Sequence, residues 1–203
     1  MIRFKYLSIS LFFTLINLSV KSQNHDCIEP FSHYDTITLN GNHLKYHIQS
    51  RTAQLEYGNK VFHRFLPEKY SCDIADSRVP KFQWDNTDFM GLHYGCGVPC
   101  WGVLILPLNS TDPIRNIMYD LATDPTNNLI AYLDSVNYDK IVIENLKTKI
   151  SQIVEFTNKS DAAFVGSCID SISIRNNELY YQFAEPNKFD KNKRVTEFRI
   201  KIK

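Results

Sequence analysis

The sequence predicts an all-β fold, an antiparallel meander of hairpins arranged either propeller-like or as a β-sandwich. Apolar and polar residues alternate on both sides of turn-forming Asn and Gly residues. The turn markers Gly41, Asn86, Asn127 and Asn177 recur at intervals of 45, 41 and 50 residues, about the length of a propeller blade. Strand-favouring aromatics are abundant, with 11 Tyr and 13 Phe in a chain that is 43% hydrophobic.

The chain opens on a short basic stretch, Arg3 and Lys5, followed by an apolar run over residues 7–20. A bilayer-spanning helix needs roughly 20 apolar residues, so this shorter run reads as a secretory signal rather than an anchor. Residues 1–22 are expected to be removed, leaving residues 23–203 as one all-β domain in the periplasm or outside the cell. No later run reaches membrane-spanning length; the most apolar, residues 103–108, is strand-sized. Losing residues 1–22 removes Arg3, Lys5 and Lys21 but no acid, so 23 basic residues fall to 20 against 22 acidic ones and the net charge becomes −2. A near-neutral domain without a basic cluster excludes nucleic acid, because phosphate neutralisation supplies most of that affinity.

The first hairpin is residues 36–48 around Asn40-Gly41, the strongest short hairpin signal. Three more turns follow the same plan. Phe82 and Trp84 precede Asp85-Asn86, Ile117 and Leu121 precede Asn127-Asn128, and Ile172 and Ile174 precede Asn176-Asn177, each with alternating apolar residues beyond. Further strands are expected at residues 100–108, 140–146, 149–156 and 195–202. In the last, Phe198, Ile200 and Ile202 share one face and Glu197, Arg199, Lys201 and Lys203 the other, a half-solvated strand whose charges discourage edge pairing. Asp112-Pro113 suits a helix start, but a strand over 115–121 fits the following hairpin better. Residues 159–161 and 185–192 are expected to be the mobile loops.

All five cysteines lie beyond the signal, and an oxidising compartment favours their pairing. Cys96 and Cys100 are the best pair, because Gly95, Gly97 and Pro99 permit the tight turn between them. On the chain-entropy account that ring stabilises by roughly 2 kcal/mol, against about 4 for the longer loop joining Cys27 to Cys72. The three residues between Cys96 and Cys100 depart from the C-x-x-C spacing of thiol oxidoreductases, and no second pair completes a zinc site.

No residue pattern specifies catalysis, a metal or a cofactor. His43 and His47 have a spacing that converges on a helix, but Leu44, Tyr46 and Ile48 alternate with them. On a strand their backbones stand about 13 Å apart, and the zincin glutamate is missing. The pairs Asp73 and Asp76, and Asp85 and Asp88, are too sparse for a calcium loop and read as turn formers. Ser167 lacks the second glycine of a nucleophile elbow, and His63 and His93 have no placed partner. Asn109-Ser110-Thr111 and Asn158-Lys159-Ser160 match the glycosylation sequon.

The segment 93–102, with two cysteines and four Gly or Pro residues, reads either as a rigid loop presenting Tyr94 and Trp101 for contact with a protein or carbohydrate or as a disulfide-tied turn whose Trp101 packs into the core. Trp84-Asp85-Asn86, Gly95-Cys96-Gly97-Val98-Pro99-Cys100-Trp101-Gly102, Ile143-Glu144-Asn145-Leu146 and Cys168-Ile169-Asp170-Ser171 together resemble an uncharacterised group of exported Bacteroidetes-type proteins over about residues 80–175. The resemblance implies bacterial export and supplies no activity or catalytic residues. The function expected is a non-enzymatic β-domain that binds a partner or component of the cell envelope. The alternatives are an envelope-polymer hydrolase using Asp73, Asp76 or His93, and a structural envelope protein dimerised through its odd cysteine.

Overall fold

Each of the four sequence markers sits in the turn between the first two strands of a separate antiparallel sheet. The computed structural model describes residue 31 and residues 33–156, 165–184 and 195–203. The signal segment 1–22, Cys27, Asn158 and the two expected mobile loops lie outside the described residues. Among the described residues the elements are fifteen strands and three short 3-10 turns. The first sheet runs β1 (Thr36–Ile37), β2 (His43–Gln49), β3 (Thr52–Gly58) and β4 (His63–Ser71). The second runs β5 (Lys81–Asp85), β6 (Phe89–Gly97), β7 (Cys100–Pro107) and β8 (Arg115–Met118). The third holds β9 (Asp120–Asp124), β10 (Leu129–Leu133), β11 (Lys140–Asn145) and β12 (Ser151–Glu155). The fourth holds β13 (Ile169–Arg175), β14 (Glu178–Ala184) and β15 (Val195–Lys201). Strand order is sequential in every sheet, so each is a meander and none closes into a barrel.

The turns form where backbone chemistry demands. Asn176 and Asn177 have φ of 51° and 58° and Gly41 has φ of 78°, the left-handed region that Asn and Gly tolerate. Asn86 Oδ1 accepts from the backbone N–H groups of Asp88 and Phe89, both at 2.8 Å, closing an Asx turn.

The four sheets stack face to face in chain order through three apolar clusters. Leu44, Tyr46, Leu55 and Tyr57 of the first sheet pack on Met90, Leu92 and Leu106 of the second. The opposite face of the second, through Trp84, Phe89, Val103 and Ile105, packs on Ile130 and Leu146. Leu129, Ala131, Leu133 and Ile143 of the third then meet Leu179, Tyr181 and Phe183 of the fourth. This explains the two kinds of strand in the sequence. The second and third sheets bury both faces, so Phe89, Met90, Gly91 and Leu92 are all buried in succession, whereas the outer β2 alternates buried Leu44 and Tyr46 with exposed Lys45. In β15, Phe198 and Ile200 pack toward the core while Glu197, Arg199 and Lys201 are exposed, the alternation its sequence predicts.

The structure corrects two expectations. The strand expected over residues 115–121 is two strands, β8 and β9, in different sheets, and no helix follows Pro113. Tyr119, at φ 55°, makes the crossing alone. Its N–H donates to Trp101 O of the second sheet and its carbonyl accepts from Leu133 N–H of the third, at 2.9 and 3.1 Å. The sequence reading also passes over β3 and β4. The turn that enters β3, Ser50-Arg51, reaches φ of 49° and 63° without Gly or Asn, and β4 is an exposed, charged edge strand interrupted by Pro67.

Polar bridges tie the stack at its marker-turn end. Asp85 accepts from Asn42 Nδ2 at 2.6 Å, from Asn40 Nδ2 at 3.1 Å and from the Thr38 hydroxyl, joining the first two sheets. Asn86 Nδ2 then donates to Pro125 O at 2.6 Å and Asn128 Oδ1 at 2.9 Å, joining the second and third. Further along the same interface, Arg115 donates to both oxygens of buried Glu144 at 2.6 and 2.8 Å, and the Tyr132 hydroxyl adds a bond at 3.0 Å. Burial pushes the Glu144 carboxyl up, but the Arg115 bonds and charge outweigh it and hold the group below the ordinary glutamate value.

Two outcomes follow from these bridges. Asn86→Ala removes two inter-sheet bonds and the Asx turn, and is expected to cost about 2 kcal/mol in urea unfolding. Arg115→Gln strands a buried carboxylate and is expected to cost roughly 3 kcal/mol at pH 7. Because the folded-state value of Glu144 is depressed, its contribution is present above the unfolded value and lost as pH falls through the folded one. The Arg115→Gln penalty, measured by urea unfolding across a pH series, therefore shrinks below the ordinary glutamate range.

Candidate binding cleft between the first two sheets

The outer strand of the first sheet does not close onto the second, and a cleft of about 570 Å³ opens between β4 and strands β6 to β8, within the range of small-ligand sites. Its shape begins with Pro67, which has no N–H to give the ladder. Three β4 residues, Leu66, Pro67 and Glu68, bulge opposite Leu55 of β3, and Gln54 Nε2 caps Leu66 O at 2.9 Å. Beyond the bulge, Tyr70 leans back on the first core, edge to face with Tyr46 at 6.4 Å. Leu104 and Ile114, with Pro67, Pro80 and Pro113, supply apolar wall.

Tyr94 on β6 faces Tyr70's side of the cleft, its ring lying over Gly102 of β7, where an added Cβ would come within 3.0 Å of the phenol oxygen. Its hydroxyl donates to Asn116 Oδ1 at 2.6 Å. Burial, followed by the charge of Glu68 and the neighbouring Tyr94, pushes the Tyr70 phenol up to about 12. Burial likewise raises Tyr94. Both phenols are therefore neutral at physiological pH.

Two guanidinium groups complete the lining. Arg64, half-buried, reaches Asp112 O at 3.3 Å. Arg78 ends the 3-10 turn Asp76–Arg78 that lies over Gly95 of β6. The Arg78 side chain is exposed and makes no hydrogen bond or ion pair among the described residues. Glu68 is the one carboxylate among the residues that line this cleft.

The structure separates the two aromatic residues that the sequence brings together. Tyr94 and Trp101 lie in paired strands rather than on a loop, and on opposite faces of the second sheet. Tyr94 continues the face of Leu92 toward the first sheet, while Trp101 continues that of Val103 toward the third. Trp101 Nε1 donates to Asp120 O at 2.8 Å, and its ring packs edge to face on Tyr119 at 5.1 Å. The loop itself is the turn between β6 and β7, closed by the Cys96–Cys100 disulfide with Cα atoms 5.0 Å apart and a cis Val98–Pro99 peptide. Cys72 is also disulfide-bonded, and Cys168 is buried.

The acids and histidines proposed for hydrolysis do not line this cleft. Asp73 pairs with Arg51 at 3.0 Å on the surface. Asp76 accepts from Lys81 at 2.6 Å and from the Tyr34 hydroxyl. His43 and His47 both face Glu56 on the neighbouring strand, His47 in hydrogen-bond contact and His43 at 3.8 Å. His93 faces the third sheet, its Nδ1 3.7 Å from buried Asp120 Oδ1. Among the described residues no group of three His, Cys, Asp or Glu side chains is placed to hold a metal ion, and no helix is long and apolar enough to cross a membrane.

Sequence reasoning found Tyr94 but missed Tyr70, Arg64 and Arg78, which sit on the unrecognised β4 and the turn after it. The periodicity break at Pro67 was the one local signal. No family model matches the chain, and no curated protein matches it in sequence.

Asp120 offers a direct test of the interface behind Trp101. Its Oδ1 is buried without a hydrogen-bond donor, and burial raises its pKa despite the opposing charge of His93. A raised carboxyl favours the fold below the unfolded value and loses that benefit as pH rises through the folded one. Asp120→Asn is expected to stabilise the protein by on the order of 1 kcal/mol at pH 7 and to lose that gain as the pH falls below the ordinary aspartate value, measured by urea unfolding across a pH series.

Proposed function

We propose that the protein is a non-enzymatic, exported binding module that holds a partner or envelope component in the cleft between its first two sheets. The observation that carries this reading is the cleft's composition: two neutral phenols and an apolar wall beside an unengaged guanidinium. Such a surface combines contact area with a polar handle, the mixture that binding sites use. The scaffold around it is stiff, because the β6–β7 turn next to the cleft is closed by a disulfide. Export is supported by the signal-like segment 1–22 and by the oxidised Cys72, Cys96 and Cys100. The hydrolytic alternative gains nothing from Asp73 and Asp76, whose carboxylates are ion-paired with Arg51 and Lys81.

The test uses the mature protein immobilised and challenged with solubilised cell-envelope material. Wild type is expected to retain a component, and Tyr70→Ala to lower its retention by about tenfold, as for a buried aromatic anchor. Trp101→Ala, which alters the opposite face of the second sheet, is expected to leave retention unchanged. Loss on Trp101→Ala with none on Tyr70→Ala would place binding elsewhere.

A further inference from the structure

The charge and shape of this cleft specify a ligand class. Resting on the reading that the cleft is the binding site, we infer that it takes an acidic saccharide, a short sugar chain bearing a carboxylate. Arg64 and Arg78 face a single lining acid, Glu68, so the cleft carries one net positive charge. Among the described residues neither Arg78 nor Arg64 has a carboxylate partner; Arg64 donates to the Asp112 carbonyl at 3.3 Å and neighbours the Tyr57 phenol. A guanidinium matches a carboxylate with two parallel N–H bonds, so an acidic group completes what the protein leaves open. The Tyr70 and Tyr94 rings offer flat apolar surface with hydroxyl edges, complementary to a pyranose ring whose C–H face is apolar and whose rim is polar. Asn116, already accepting from Tyr94 at 2.6 Å, keeps its amide N–H donors for a sugar hydroxyl.

The bordering strands argue against an extended acidic peptide. Peptides joining a sheet need an uninterrupted row of backbone donors and acceptors. On β4 that row is broken by Pro67 and its bulge, and β8 spans only Arg115–Met118 after Pro113.

Calorimetric titration of the mature protein with trigalacturonate, its fully methyl-esterified form and triglutamate separates the possibilities. Trigalacturonate is expected to bind about tenfold tighter than its ester, since the ester keeps the rings and removes the charge. Arg78→Gln, at an exposed position, should leave the urea midpoint unchanged and reduce trigalacturonate affinity to that of the ester. Equal affinity for acid and ester would overturn the acidic assignment; if Tyr70→Ala weakened both, the cleft would remain the binding site. Tighter binding of triglutamate, or no binding of either saccharide, would overturn the saccharide class whatever the envelope material shows.

Discussion

The stack depends on asparagine side chains that carry hydrogen bonds from one turn to the next. Asn42, 4% exposed, reaches Asp85 and the carbonyl of Asn86, and Asn86 in turn reaches Pro125 and Asn128. Apolar burial supplies most of the driving force for stacking, but it is non-directional and does not by itself fix how far one sheet slides on the next. Hydrogen bonds between partly buried turns do, because a slip of one strand spacing would leave buried Asn42 and its acceptors unpaired. The same residues that bend the chain therefore also set the alignment of the sheets they begin.

That double duty explains why the repeat is legible. Each of Gly41, Asn86, Asn127 and Asn177 must satisfy a local turn, and three of the turns also meet a neighbour, so the markers stand out from the alternating strands around them. Residues 103–108 were legible for another reason: the second sheet buries both faces, and its strands read as unbroken apolar runs.

What stayed hidden in the sequence has a common cause. β4 is solvated, carries His63, Arg64, Glu68 and Lys69, and bulges at Pro67, so it lacks both the composition and the period of a strand. One wall of the cleft is built on it, and Arg64 and Arg78 look like ordinary surface charges until the fold sets them in one cleft with Tyr94. For segment 93–102 the sequence left both a presented and a packed Trp101 open, because sequence proximity does not reveal a sheet face. With Gly95 and Gly102 between and opposite them, the pair could be assigned to opposite sides only once the β6–β7 register was known.

The one-residue passage at Tyr119 has a mechanical consequence. Sheets two and three share a tether too short to swing, hydrogen-bonded at both ends, whereas sheets one and two are joined by the longer segment 72–80. The inner pair is thus the anvil of the pile, and the first sheet is an outer leaf pinned to it at the turn end by the bonds of Asn42 to Asp85 and Asn86. A widening of the cleft would pivot about that pin rather than part the two sheets evenly.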